Sequence, residues 1–86
     1  MEYEIIIPLP VQKQIDGLPS KEFDKIIAKI FLLKQNPRYP GSIKLKGFKN
    51  EYRIRIGDYR IRYQIDEKQK NVILLHCGHR RDIYSK

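Results

Sequence analysis

The chain has 86 residues and a formal net charge of +8, from 18 Lys and Arg against 10 Asp and Glu. This length predicts a single domain spanning residues 1–86. The single cysteine, Cys77, excludes a disulfide within the chain, and no apolar run approaches the roughly 18 residues that a membrane span needs. The N-terminus also lacks signal-peptide features, so we expect a cytoplasmic protein without a membrane partner. The positive charge predicts a partner rich in phosphate or carboxylate.

The first half of the chain predicts one strand and two helices. The segment YEIIIP, residues 3–8, is short, β-branched and closed by proline, which is typical of a strand. Pro10 and Gly17 are typical of the start and the end of a short helix. Ser20 is predicted to be the N-cap of a longer helix that ends just before Pro37, because a residue that precedes proline resists the helical conformation.

An apolar stripe predicts the buried face of the longer helix. Its residues recur at helical spacing: Phe23, Ile26, Ile27, Ile30, Phe31 and Leu33. Aromatic residues in such a stripe usually pack inward, so both Phe23 and Phe31 are expected in the core.

The second half of the chain predicts a loop and then a series of strands. The loop is NPRYPGS, and the strand segments are IKLKGF, YRIRI, YRIRYQI and VILLHC. The last strand shows no alternation and is expected to be buried on both faces. Within it, Cys77 is predicted to be a buried, inert thiol and His76 a satisfied histidine of the core or sheet edge.

This order of elements predicts an α+β fold. We expect an N-terminal strand, a two-helix hairpin and then a mainly antiparallel sheet of three to four strands. The helices should pack on one face of the sheet and leave a basic, concave face on the other.

The segment YRIRIGDYRIRY, residues 52–63, predicts a β-hairpin with an arginine-rich surface. If Gly57 and Asp58 form a two-residue turn, Ile56 pairs with Tyr59 and Arg55 with Arg60. Side chains alternate across a strand, so the aromatic and isoleucine residues share one face. The other face carries Arg53, Arg55, Arg60 and Arg62. Opposed like charges are unfavourable, but converging guanidinium groups are well suited to phosphate. A solvated face whose arginines bind scattered carboxylates is the alternative.

The tail GHRRDIY adds further groups that can reach the hairpin. If the last strand is antiparallel to YRIRYQI, its C-terminal end returns towards Tyr59 and Arg60. We therefore expect the side chains of His79, Arg80, Arg81 and Tyr84 to reach the arginine surface.

Two segments together, LKGFKNEYRIRIGDYRIRYQIDEK and CGHRRDIY, resemble the RelE branch of the RelE/ParE superfamily of toxins from toxin–antitoxin pairs. The resemblance implies a ribosome-dependent endoribonuclease that cuts mRNA in the ribosomal A site and inhibits translation. It also implies contact with 16S-type ribosomal RNA and an acidic RelB-like antitoxin as partner. Two alternatives remain open: a ParE-like toxin that inhibits a DNA topoisomerase by binding, and a catalytically silent module that binds RNA or antitoxin.

The resemblance also implies the site residues. The catalytic positions fall on Arg53, Arg55, Arg60, His79, Arg80 and Tyr84. Further RNA contacts are expected from Arg62, Arg81, Lys44 and Lys46. The implied reaction is metal-independent attack of an RNA 2′-hydroxyl on its adjacent phosphate. The sequence has no ligand cluster of the kinds that metals need, and we expect no metal or other cofactor.

One departure from the family concerns the general base. Family members often carry lysine on the first hairpin strand, where this chain has Arg53 and Arg55. Arginine holds its proton up to a pKa of about 12 or higher and is a poor base. His79 is therefore expected to transfer the proton, with a hairpin arginine or the ribosome as the alternatives.

Overall fold

The structure is a computed structural model that describes residues 2–79. In this range the chain forms two helices and five strands. In chain order these are β1 Glu4–Ile6, α1 Leu9–Asp16, α2 Ser20–Gln35, β2 Ile43–Lys44, β3 Glu51–Ile56, β4 Tyr59–Asp66 and β5 Asn71–His79. The strands form one sheet in the order β1-β5-β4-β3-β2, in which only β1 and β5 are parallel. The predicted α+β fold is confirmed, and the N-terminal strand joins the same sheet as the others.

The two helices begin and end close to the predicted residues. Pro10 lies in the first turn of α1, where its missing N–H has no cost. The predicted N-cap of α2 is wrong by one residue: Pro19 is the N-cap and Ser20 is already helical, without a side-chain capping hydrogen bond. The helix ends at Gln35, two residues before Pro37, as predicted.

The buried face of α2 is narrower than the sequence stripe suggests. Ile26, Ile30 and Leu33 are buried against the sheet, and Phe23 packs at the margin of this core. The prediction for Phe31 is wrong, because its side chain is 60% exposed. Successive helical residues are turned by about 100°, so Phe31 faces away when its neighbour Ile30 faces the sheet.

The edge of β5 that faces away from β4 is covered partly by strand β1 and partly by a side chain of α1. Strand β1 pairs only with residues 71–73 of β5. Farther along, the backbone N–H of Cys77 donates a 2.9 Å hydrogen bond to Oε1 of Gln14, on α1. Gln14 thus satisfies a backbone group that β1 is too short to reach.

Strand β5 contains a β-bulge that reverses its alternation. Tyr63 pairs with Leu74, but Arg62 pairs with His76, so Leu75 is an extra residue on β5. Before the bulge Leu74 is buried, and after it the buried position moves to Cys77. The expectation that this strand is buried on both faces is therefore wrong: one face is buried and the other is half-buried.

The core contains the hydrogen-bonded phenol of Tyr63 and the thiol of Cys77. The hydroxyl of Tyr63 donates a 2.6 Å hydrogen bond to the carbonyl of Pro37, which ties β4 to the loop after α2. Burial raises the pKa of the Tyr63 phenol to about 12. Cys77 is buried as predicted, and burial raises the pKa of its thiol to about 11.

No helix within residues 2–79 is long and apolar enough to cross a bilayer.

Candidate functional site

The hairpin of β3 and β4 has the predicted turn and register. Ile56 pairs with Tyr59, and Arg55 pairs with Arg60, around the two-residue turn Gly57-Asp58. Gly57 has a φ of 61°, whereas Asp58 is not among the residues with positive φ. A glycine with positive φ at the first turn position is typical of a tight hairpin turn that matches the twist of the strands.

Four arginines lie on the sheet surface opposite the helices, and we call them the arginine face: Arg53, Arg55, Arg60 and Arg62. Arg55 is exposed and the other three are half-buried. On the reverse of the same strands, the side chains of Ile54 and Ile61 are buried in the core. The prediction that Arg55 and Arg60 share a face is confirmed by their direct pairing.

The register brings positive charges into opposition twice. Arg53 stands across from Arg62, and Arg55 across from Arg60. Directly opposed like charges are unfavourable by a few tenths to about 1 kcal/mol relative to a neutral pair, although Glu51 balances the Arg62 member of the first pair. A bound anion would relieve this repulsion, and guanidinium groups can each donate two parallel hydrogen bonds to a phosphate.

Two arginines have identified partners within the hairpin. Nε of Arg55 donates a 3.0 Å hydrogen bond to the carbonyl of Gly57, which directs the side chain towards the turn. Nε of Arg62 lies 3.5 Å from Oε1 of Glu51, and both atoms are shielded from solvent. Glu51 is therefore a carboxylate that balances one positive charge of this surface.

The bulge in β5 decides which histidine faces the arginines. His76 is the partner of Arg62 and lies half-buried on the arginine face, with its Nδ1 shielded from solvent. His79 is the partner of Tyr59 and lies on the helix side of the sheet. The expected placement of His79 on the arginine face is therefore wrong, because the extra residue Leu75 shifts the alternation beyond it.

The surroundings of His79 agree with this assignment. Its imidazole packs edge-on against the ring of Tyr59, with 5.6 Å between the ring centroids. Both rings line a cavity of about 320 Å³ between the hairpin turn and the start of α2, where Glu22 and Lys25 also lie. His79 therefore belongs to a different surface from the four arginines.

The segment IKLKGF contains two predicted RNA contacts, Lys44 and Lys46, which lie in different parts of the fold. Ile43 pairs with Arg53 and Lys44 pairs with Tyr52, so Ile43 lies on the side of the arginine face and Lys44 lies on the other side. Lys44 therefore lies on the opposite side of the sheet from the four arginines, and its RNA contact stays a prediction. Lys46 is exposed in the turn that follows β2.

No functional role was predicted for three residues of this surface: Phe48, Glu51 and His76. The ring of Phe48 is 51% exposed, and the guanidinium carbon of Arg62 lies 5.7 Å from its centroid. The only available signals were the alternation that places Glu51 in phase with Arg53 and the position of Phe48 after a turn glycine.

The predicted residues Arg80, Arg81 and Tyr84 lie outside the described residues. Within residues 2–79, no three His, Cys, Asp or Glu side chains form a group that could hold a metal ion.

Comparison with known proteins identifies the class to which this fold and surface belong. Residues 5–84 match the family described as the ParE toxin of the type II toxin–antitoxin system parDE. The chain therefore belongs to this toxin family, within the RelE/ParE superfamily.

Particular relatives lie on the RelE side of the superfamily. Toxin RelG of Mycobacterium tuberculosis is 25% identical over 87 residues, with all of both chains covered. The RelE–RelB complex of Pyrococcus horikoshii matches with 29% identity and a TM-score of 0.83, over 93% of this chain and 97% of the other. The isolated RelE toxin of Escherichia coli, at 23% identity, has the same fold with a TM-score of 0.81, over 90% of this chain and 83% of its own.

Proposed function

We propose that this toxin is a ribosome-dependent endoribonuclease that cuts mRNA in the ribosomal A site and so inhibits translation. The observation that carries the proposal is the direct opposition of Arg55 and Arg60 on the sheet face away from the helices. Repelling guanidinium groups are best explained by an anionic substrate. A single RNA strand offers a phosphate at every nucleotide, together with a 2′-hydroxyl that can attack it.

The proposed reaction is a transesterification without a metal. The RNA 2′-oxygen loses its proton and forms a bond to the adjacent phosphorus, the bond to the 5′-oxygen breaks, and the departing 5′-oxygen takes a proton from water. The products are a 2′,3′-cyclic phosphate and a 5′-hydroxyl. Negative charge accumulates on the phosphoryl oxygens in the transition state, and Arg53, Arg55 and Arg60 are positioned to stabilise it. Such electrostatic stabilisation is usually the largest contribution to catalysis. The resemblance adds Arg80 as a further phosphate contact and Tyr84 as a base-stacking residue, with Arg81 and Lys46 as additional RNA contacts.

The proton of the 2′-hydroxyl needs an acceptor other than a guanidinium group. We assign this role to His76, since it shares the arginine face with Arg62. The Nδ1 atom of His76 is shielded from solvent, so Nε2 is the nitrogen that would meet the substrate. Orientation of the RNA by the ribosome would supply the remaining contribution to the rate, because alignment of reacting groups lowers a barrier without new chemistry.

The proposed partners are mRNA, 16S-type ribosomal RNA and an acidic antitoxin of the RelB type, all met in the cytoplasm. The matched structure from Pyrococcus horikoshii is a complex of RelE with RelB. A net charge of +8 supports an acidic partner for this chain.

A second candidate function is inhibition of a DNA topoisomerase by binding. It is favoured by the family description, which names parDE. It gives no reason for the paired arginines opposite the helices, so we place it second.

The test is mapped cleavage of mRNA on programmed ribosomes by wild-type protein, Arg60→Ala and the control Lys68→Ala. Lys68 lies exposed in the turn after β4, so its substitution removes the same charge away from the site. We expect Arg60→Ala to lose at least about 100-fold in cleavage rate, as for other electrostatic contacts to a transition state. Lys68→Ala should cleave normally.

If the wild-type protein does not cleave mRNA on programmed ribosomes, the proposed endoribonuclease activity is wrong. Inhibition of DNA supercoiling by the same protein sample would then favour the topoisomerase inhibitor. Equal cleavage by folded Arg60→Ala would remove the arginine pair from the mechanism.

A further inference from the structure

An exposed aromatic ring lies at the β2 end of the arginine face. Phe48 belongs to the turn that joins β2 to β3, and half of its side-chain surface is in contact with water. A single exposed apolar residue is ordinary on a protein surface. Phe48 differs because a second flat group, the guanidinium of Arg62, lies against it at 5.7 Å.

Arg62 has two neighbours that restrict its side chain. The ring centroid of Phe48 lies 5.7 Å from its guanidinium carbon, and Oε1 of Glu51 lies 3.5 Å from its Nε. The ion pair is sheltered, since the side chain of Glu51 is only 19% exposed. Glu51 also balances the charge of Arg62, so this arginine is less suited to phosphate than Arg55 or Arg60. The guanidinium of Arg62 instead offers a flat, oriented surface.

Flat groups of this kind bind nucleobases. Unpaired RNA bases stack on aromatic rings and on guanidinium planes. Arg60 lies two residues from Arg62 on the same face, roughly 7 Å along the strand. A nucleotide whose phosphate is held by Arg55 and Arg60 can therefore place a neighbouring base on the ring of Phe48.

We propose that Phe48 and Arg62 form a base-stacking shelf for single-stranded RNA, with Glu51 as the residue that positions Arg62. The inference rests on the proposed function for its substrate class. The shelf would bind the base of the nucleotide that lies beside the scissile phosphate. It also gives Arg62 a role different from that of the other three arginines.

The test is equilibrium binding of a short 2′-O-methylated RNA oligonucleotide that carries 2-aminopurine. The methyl groups prevent attack by the 2′-oxygen, so binding is measured without cleavage and without ribosomes. Stacking quenches 2-aminopurine fluorescence, which reports contact between a base and the ring directly. The variants are Phe48→Ala, Phe48→Trp, Glu51→Gln and the control Phe31→Ala, an aromatic on α2 that is 60% exposed against 51% for Phe48. Circular dichroism confirms that each variant is folded.

Phe48→Ala should bind roughly 5- to 150-fold more weakly, the range found for loss of one base–aromatic stack, and should lose the quenching. Phe48→Trp should retain both, and Phe31→Ala should match the wild type. The Glu51→Gln variant should bind the oligonucleotide as tightly as the wild type but should give less quenching of 2-aminopurine. Without the carboxylate of Glu51, the guanidinium of Arg62 loses its orientation for stacking, but its uncompensated charge attracts phosphate more strongly. A purely structural Glu51 would give no such separation of quenching from affinity.

The shelf is overturned if the wild type does not bind the oligonucleotide, or if Phe48→Ala binds and quenches as the wild type does. A Phe48→Ala variant that binds RNA normally but binds antitoxin weakly would assign Phe48 to a protein interface instead. Loss of quenching in Phe48→Ala, with no ribosomal cleavage by the wild type, would retain the shelf and reject the endoribonuclease.

Discussion

His76 stands directly opposite Arg62 across β4 and β5, and this pairing is what places an imidazole on the arginine face. The other histidine of the strand, His79, pairs with Tyr59 on the helix side. The two histidines are three positions apart, so ordinary alternation turns their side chains to opposite faces of β5, and the bulge at Leu75 decides which of the two faces the arginines.

This arrangement predicts different effects of the two histidine substitutions on mRNA cleavage. His76→Asn should slow single-turnover cleavage by about 100-fold or more, the usual loss on removal of a general base. It should also remove any rise in rate with pH through the histidine range. His79→Asn should stay within a few-fold of the wild type, since its ring contacts Tyr59 rather than the substrate surface. Cleavage across roughly pH 5.5 to 8.5, which brackets a histidine pKa, measures both effects. A slow His79→Asn beside a normal His76→Asn would reverse the assignment.

The opposed arginines predict stabilisation of the folded protein by phosphate. At equal ionic strength, phosphate should raise the thermal midpoint of the wild type above its value in chloride, because a ligand that binds only the native state stabilises it. Arg55→Gln should gain a few tenths to about 1 kcal/mol in chloride through lost repulsion, and should gain less from phosphate. Lys68→Gln is the control, and a phosphate effect of equal size in all three proteins would contradict a specific anion site.

The buried hydroxyl of Tyr63 predicts both a stability loss and a pH dependence. Tyr63→Phe leaves the carbonyl of Pro37 without its 2.6 Å hydrogen bond and should cost about 1–3 kcal/mol in the free energy of unfolding. The pKa of the phenol rises from 10.0 to about 12 on folding, so its contribution is complete below pH 10. That contribution is lost as the pH rises from 10 to about 12.

Urea unfolding of the wild type and Tyr63→Phe at several pH values measures this difference, which should shrink above pH 10. Tyr3→Phe is the matched control, because the hydroxyl of Tyr3 donates its hydrogen bond to Glu67 at an exposed position. A constant difference between wild type and Tyr63→Phe up to pH 12 would exclude the linkage.

Truncation of two adjacent residues of α2 should change the stability of the protein by very different amounts. Ile30→Ala should destabilise the protein by about 2–5 kcal/mol, as is usual for a buried isoleucine. Phe31→Ala should change the free energy of unfolding by less than about 0.5 kcal/mol, since its ring is largely exposed. Chemical denaturation of both variants tests the orientation of the helix, and a large loss for Phe31→Ala would indicate that its ring packs against the core.

The hairpin could be predicted from sequence because its signals are local. A two-residue turn containing Gly57 fixes the register, and the period of two then assigns every side chain to a face. The bulge could not be predicted in this way. The segment VILLHC is continuously apolar, so no polar residue, glycine or proline marks Leu75 as the extra position.

The error at Phe31 and the unpredicted side of Lys44 have a related cause. Helical periodicity gives the direction of an apolar stripe, but the width of the buried part depends on how much sheet lies beneath it. Similarly, the side on which Lys44 lies depends on a two-residue edge strand whose register is set by its pairing with β3. Both properties are tertiary and leave no periodic signal of their own.

The parallel pairing of β1 with β5 has a consequence for synthesis of the toxin. Residues 4–6 are synthesised well before residues 71–73, yet they are partners in the sheet. A pairing between such distant segments carries a high loop-closure cost and forms late. Until β5 is available, β4 pairs only with β3, and Arg62 has no imidazole across from it on the other side. A nascent chain that ends before residue 71 is therefore an unfinished sheet, and the arginine face lacks its neighbouring strand until β5 has been added.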